Sequence, residues 1–180
     1  MKSHFYTTAV VFLTLLSLTG CSIGNMLVGQ VNPVDEKADN VELTPLETID
    51  SNWKRIPVDE KNLNTESPDR AWQSSKTASV IALNSACRGG NNHDLTEITS
   101  DLLIQWRDLE NVTQKEITLS GHKALETTAQ GIYFNRKRKL QTVVVKTPSC
   151  IYDLIFLGSI RNFSQDLAVF QAFRDKLIIK

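Results

Sequence analysis

The chain has 180 residues, 41% of them hydrophobic, and its 20 Lys+Arg balance its 20 Asp+Glu. This fits one globular domain with an appended segment, and it excludes a wholly disordered chain, which needs fewer apolar residues and a larger net charge. Three cysteines are too few for a disulfide-dense mini-protein, and zero net charge argues against a general nucleic-acid binder, so no nucleic-acid partner is expected.

The first segment carries one cation, Lys2, then an apolar run from Ala9 to Leu18, then Thr19 and Gly20. The run is roughly ten residues against the ~20 that a spanning helix needs, so it reads as a secretory signal. Leu18-Thr19-Gly20-Cys21 resembles the bacterial lipobox. In that family the cysteine is diacylated, the signal is cut before it and the new amine is acylated. The resemblance therefore implies that residues 1–20 are a cleaved signal peptide and that Cys21 is the lipid attachment site. Each buried acyl CH₂ contributes about 0.8 kcal/mol and one chain binds only marginally, so two or three chains would hold the protein durably to a membrane. Ser22, standing where Asp would be the retention signal, resembles the outer-membrane sorting pattern. The expected location is the bacterial cell envelope, lipid-anchored in the outer membrane and facing the periplasm. A plain secretory signal, or an uncleaved signal anchor, is the competing reading.

Residues 21–52 then read as a lipidated N-terminus and a flexible acidic linker. Positions 32–52 hold Asp35, Glu36, Asp39, Glu42, Glu47 and Asp50 against Lys37 alone, with Pro33 and Pro45, and no sustained hydrophobic period. The folded domain is expected over 53–180. Trp53 to Val58 suits a short edge strand because of Pro57, and 60–69 is polar and turn-like. Thr77 to Leu83 is the first clear strand, apolar on both faces. Cys87 to His93 forms a loop, after which Asp94 and Glu97 make a capping-box pattern opening a helix whose stripe is Leu95, Ile98, Leu102 and Trp106. Lys115–Leu119 and Lys123–Gln130 read as strands around a Ser120-Gly121 turn. Ile132–Phe134 and Leu140–Lys146 flank the basic run Arg136-Lys137-Arg138-Lys139, placed at a hairpin tip. Cys150 to Leu157 is a buried strand, and Ser164 is expected to cap a last helix whose face is Leu167, Phe170, Phe173 and Leu177. Consecutive strands with short turns pair antiparallel, and amphipathic helices bury their stripes on the sheet, so the class is α+β, an antiparallel β-sheet flanked by α-helices.

From Ala78 onward the chain resembles a family of small, largely uncharacterised bacterial lipoproteins with a PsbP-like fold. The residues carrying the likeness are Asn84-Ser85-Ala86-Cys87, Leu102-Leu103-Ile104, Ser120-Gly121-His122-Lys123-Ala124-Leu125 and Val145-Lys146-Thr147-Pro148-Ser149-Cys150-Ile151-Tyr152-Asp153. The resemblance spans roughly 100 residues and implies a PsbP-like α/β/α sandwich, a fold shared by an extrinsic photosystem II subunit and a Ran-binding import factor. These are packing and turn motifs, so the resemblance implies a fold and little about activity.

Candidate chemistry is sparse. In an oxidising compartment Cys87 and Cys150 most simply form a disulfide, with two free thiols, or a reactive Cys87 near His93, as the competing readings. His93, His122 and Asp94 lack the spacing of a metal site, so no metal and no cofactor are expected. Gly89-Gly90 before a helix reads as a turn in preference to an anion cradle, because Asp94 already faces that helix end. Asp153 interrupts an apolar strand on the face of Ile151 and Ile155 and needs a partner, for which Arg161, Lys123 or His122 are in view. Arg136, Lys137, Arg138 and Lys139 are the candidate contact with an anionic surface, each cation contributing about 1 kcal/mol beside a membrane. The expected function is a non-enzymatic envelope lipoprotein. Acyl chains would link it to the membrane, and its periplasmic domain would bind an as yet unidentified envelope protein or lipid partner. A binder of a lipid or other apolar ligand between helix and sheet is the alternative, and a thiol-dependent enzyme is a more distant one.

Overall fold

A computed structural model describes residues 41–57, 68–87 and 93–180. The chain order is β1 (Val41–Glu42), α1 (Leu46–Ile49), β2 (Trp53–Ile56), β3 (Arg70–Ser74), β4 (Val80–Cys87), α2 (Leu95–Leu103), β5 (Arg107–Leu119), β6 (His122–Tyr133), β7 (Arg136–Lys146), β8 (Cys150–Ser159), α3 (Phe163–Asp175) and β9 (Ile178–Ile179). Seven strands form one sheet in the order β2-β3-β4-β8-β7-β6-β5, every neighbouring pair antiparallel, while β1 and β9 pair separately. The α+β class expected from consecutive strands joined by short turns is observed.

Side-chain alternation along the strands sorts the apolar residues into two clusters. The larger gathers Trp53, Trp72, Ile81, Leu83, Val143, Val145, Tyr152, Leu154 and Phe156 with Phe163, Phe170 and Phe173 of α3. Phe156 stacks on Phe170 at 5.3 Å and meets Phe163 at 4.6 Å, and Trp72 packs edge-on to Phe173 at 5.1 Å. The smaller cluster holds Ala71, Ala82, Trp106, Tyr133, Leu140, Ile155 and Leu157, with Leu102 and Leu103 of α2 packed against it. β8 supplies both clusters from alternate positions, which is why its sequence is apolar almost without interruption.

Several expectations are corrected. Residues 41–52 belong to the fold and not to a flexible linker: Leu46 is fully buried, Val41 is 8% exposed, and Leu43 and Ile49 pack on the larger cluster. Acidic residues dominate the charged composition there, yet these four apolar side chains are enough to hold a two-residue strand and one helical turn against α3 and β9. The strand foreseen at Thr77 begins at Val80, because Thr77 and Ser79 are used in the β3–β4 turn, where Ala78 takes φ 56° and the Ser74 amide donates to the Ser79 carbonyl. The last helix is capped at Asn162, without a side-chain cap bond, and not at Ser164; it starts at Phe163, whose ring must reach Phe156.

The segments read as Lys123–Gln130 and Ile132–Phe134 form one continuous strand, β6, which ends at Tyr133. The turn after it is Phe134-Asn135, both at positive φ, so Arg136–Lys139 lies in the first part of β7 and not at the tip. Ser120-Gly121 forms the expected tight turn, with φ of 50° and 80° and Leu119 facing His122 across it.

Candidate functional site

Helix α2 opens with the capping box read from Asp94 and Glu97. The Glu97 amide donates to the Asp94 carboxylate at 2.8 Å, and the Asp94 amide donates to the Glu97 side chain at 3.1 Å. The helix ends at Leu103, so Trp106, foreseen on its stripe, follows it and turns inward to stack on Tyr133 at 5.0 Å. The side chain of α2 that is fully buried is Thr99, whose hydroxyl donates back to the Leu95 carbonyl at 2.7 Å.

Between α2 and the sheet lies a cleft lined by Leu102, Trp106, Tyr133, Leu140, Thr142, Ile155 and Leu157. It holds about 300 Å³ of empty space counting the part open to solvent, and its enclosed part takes about one water molecule. Register explains the lining. Leu140 faces Leu157, Thr142 faces Ile155 and Val144 faces Asp153 in successive rows of β7 and β8, while Asn84 of β4 faces Asp153 on its other side. Thr142 has no exposed surface, and its hydroxyl has no hydrogen-bond partner among the described residues. One row further along the same face, the Asp153 Oδ1 atom is likewise enclosed and unpartnered among them.

The ion pair expected for Asp153 with Arg161, Lys123 or His122 is therefore not formed at this oxygen. The charge that reaches Asp153 is a like one: burial first, and then the Asp69 carboxylate, push its pKa up to about 7. Asp69 is itself raised by burial, against the pull of the Ser85 hydroxyl that donates to it at 2.6 Å. Burial also raises the Tyr133 phenol at the cleft wall. A hydroxyl and a readily protonated carboxyl thus stand on this sheet face, with Thr127 opposite Thr142 and Asn84 opposite Asp153, among side chains that are otherwise largely apolar. Such a surface offers a few hydrogen bonds within a largely greasy wall, the composition of a site for small amphiphilic molecules.

The other candidates are placed as follows. Cys87 and Cys150 are cross-strand partners in the β4–β8 register and form a disulfide, with 4.0 Å between their Cα atoms. The bridge takes both sulfurs out of thiol chemistry. His93 lies 3.2 Å from Glu97, and the Asp94 carboxylate is occupied as a helix cap. Among the described residues no group of three His, Cys, Asp or Glu side chains is arranged to hold a metal ion, and no helix is long and apolar enough to cross a membrane. Arg136 and Lys137 are exposed, Arg138 is half-buried, and the Lys139 ammonium sits 4.9 Å from the Phe163 ring centre. Cys21 and Gly89-Gly90 lie outside the described residues. Thr142 was missed in the sequence, since a threonine within Gln141-Thr142-Val143-Val144-Val145 looks like ordinary strand composition and only the register shows what it faces.

No protein-family model matches the chain, and no curated protein matches it. Among solved structures, the chain is similar to LpqN, involved in cell envelope biogenesis of Mycobacterium tuberculosis, with a TM-score of 0.56 and 11% identity over 78% of this chain and 83% of that one. It is equally similar to the cyanobacterial PsbP, CyanoP, from Synechocystis sp. PCC 6803, with a TM-score of 0.56 and 9% identity over 82% and 91%. At these identities the likeness is one of fold, and the fold is PsbP-like, as the sequence motifs implied.

Proposed function

We propose that this chain is an acyl-anchored protein of the bacterial cell envelope that binds, without transforming it, an amphiphilic envelope component at the sheet face beneath α2. The observation that carries this reading is the buried Thr142 hydroxyl, unpartnered among the described residues, in the wall of a largely apolar cleft. An unsatisfied buried hydroxyl costs about 1–3 kcal/mol, a cost that makes sense where a ligand supplies the missing partner. The envelope part of the reading draws support from the lipobox-like Leu18-Thr19-Gly20-Cys21 and from the fold shared with LpqN, itself involved in cell envelope biogenesis. Acylation at Cys21, retention in the outer membrane and exposure to the periplasm complete the proposal. With the enclosed space only water-sized, a ligand enters by parting Leu102 and Trp106 from the sheet, so the site opens from the α2 side.

The test is native mass spectrometry of the full chain extracted from bacterial membranes in mild detergent. A small-molecule mass retained on the acylated protein, and diminished in a folded Thr142→Val variant, is the expected outcome. Extraction that repeatedly yields only empty protein overturns the ligand. The anchor is tested separately by labelled palmitate: incorporation is expected in the wild type, and equal label in Cys21→Ala would remove it.

A further inference from the structure

The two ends of the large sheet differ in character. At one end stand the β5–β6 turn, the disulfide and, beside β9, the entry of the chain at Val41, whose neighbourhood is marked by the Ser120 hydroxyl donating to the Leu177 carbonyl. At the other end meet the C-terminus of α2, the start of β5, the Phe134-Asn135 turn and the residues that follow β8. Pairing fixes this meeting: Arg107 faces Ile132, Tyr133 faces Arg136, and Arg138 faces Ser159. The Arg107 guanidinium also donates to the Asn135 side chain at 2.6 Å, tying β5 to the turn.

That second end shows two properties together. Ile104 is 78% exposed, Phe134 58% and Ile160 44%, large apolar side chains left in water at three separate chain turns. Around them stand six cations, Arg107, Arg136, Lys137, Arg138, Lys139 and Arg161, against three acids, Asp101, Asp108 and Glu110. Arg136, Lys137 and Arg138 enter no ion pair among the described residues. Exposed aromatic and aliphatic side chains beside an excess of cations are what a bilayer interface with anionic headgroups accepts, the apolar groups entering the acyl boundary while the cations meet phosphates.

We infer that this end of the domain docks on an anionic lipid bilayer, Phe134, Ile104 and Ile160 inserting and Arg136, Lys137 and Arg138 meeting the headgroup phosphates. The inference deepens the envelope reading by giving the domain an orientation, and the tether length allows it. β6 spans its 12 residues at about 3.3 Å each, roughly 40 Å between the two ends. The stretch from Cys21 to Val41 reaches at most about 70 Å when extended. The domain can therefore lie with its basic end against the leaflet that holds Cys21.

The experiment measures co-sedimentation of the mature chain, residues 21–180 carrying Cys21→Ser so that no acyl group contributes, with vesicles of phosphatidylcholine alone or containing phosphatidylglycerol. Binding to the phosphatidylglycerol vesicles that weakens with salt is expected. The pair Arg136→Gln and Lys137→Gln should lower it about 25-fold, at about fivefold per cation. Arg136→Lys with Lys137→Arg should bind as the wild type, and Phe134→Ser should weaken binding while leaving its salt dependence. Equal partition onto neutral vesicles, no response to the charge-removing pair when its thermal unfolding is unchanged, or binding to soluble heparin but to neither vesicle overturns the inference. Because this assay involves neither acylation nor the α2 cleft, its failure leaves the proposed ligand and anchor standing.

Discussion

At the scale of single residues, Asp153 makes a claim about pH. Its folded-state pKa is raised to about 7, by burial first and by Asp69 second, whereas an unfolded aspartate titrates near 3.9. Below about pH 4 both states hold the proton and stability is unaffected. Between about 4 and 7 the native state holds a proton that the unfolded state has lost, so stability falls as pH rises; above about 7 the loss is complete. A shift of this size amounts to on the order of 4 kcal/mol. Asp153→Asn keeps the shape and removes the charge, so its urea-unfolding free energy should exceed that of the wild type by several kcal/mol at pH 8, with the difference shrinking toward pH 4. A gap that does not vary with pH would contradict the assignment. Thr142→Val makes a companion claim: by removing a hydroxyl unpartnered among the described residues it should raise stability by about 1 kcal/mol while lowering the retained ligand. Gain in stability with loss of binding is the signature of a polar group kept for a ligand.

At the scale of elements, close backbone approach sets what β6 tolerates. A Cβ on Gly131 would stand 2.8 Å from the Arg107 carbonyl oxygen and 3.2 Å from that of Asp108. Both are backbone atoms of β5, at the point where its register with β6 shifts and Asp108 takes φ 49°. Gly131→Ala should therefore push the start of β5 away and destabilise by about 1–3 kcal/mol, measured by denaturant unfolding; an unchanged midpoint would show that β5 yields freely. The start of β5 was also the part of the sheet least visible in sequence. Arg107 to Gln114 is exposed along its whole length because β5 is an edge strand, and hydrophobic alternation cannot mark a strand that buries neither face. β3 escaped for a different reason: its Arg70-Ala71-Trp72-Gln73-Ser74 has only two large or apolar side chains to show, and Trp72 and Ala71 are buried by distant elements on opposite faces, the one against Phe173 of α3 and the other in the cluster packed by α2. By contrast α2 was legible at its start, since a capping box is local chemistry. Asp94→Ala should cost about 1 kcal/mol and speed amide exchange through α2, the element that covers the cleft.

At the scale of the whole molecule, legibility followed sequence separation. The class, the central strand β8 and the β5–β6 turn arise from patterns a few residues long, while the cleft gathers Leu102, Tyr133, Thr142 and Ile155 from four elements whose register no local pattern encodes. The disulfide is the long-range feature that could be read, because compartment chemistry and not periodicity pointed to it. It joins the last residue of β4 to the first of β8, and it spans the α2, β5, β6 and β7 segments, a separation of 63 residues. In the chain-entropy model, closing a loop of that length restricts the unfolded state by about 4 kcal/mol. The excursion it closes contains every lining residue of the cleft except Ile155 and Leu157, which follow Cys150 directly on β8. Replacing both cysteines by alanine, or adding a reductant, should therefore lower the midpoint of thermal unfolding on the order of 10–15 °C. Reductant should leave the double variant where it already is. A wild-type midpoint insensitive to reductant that does reach the bridge, as shown by thiol alkylation, would mean that β4 and β8 are held by their ladder and apolar faces alone.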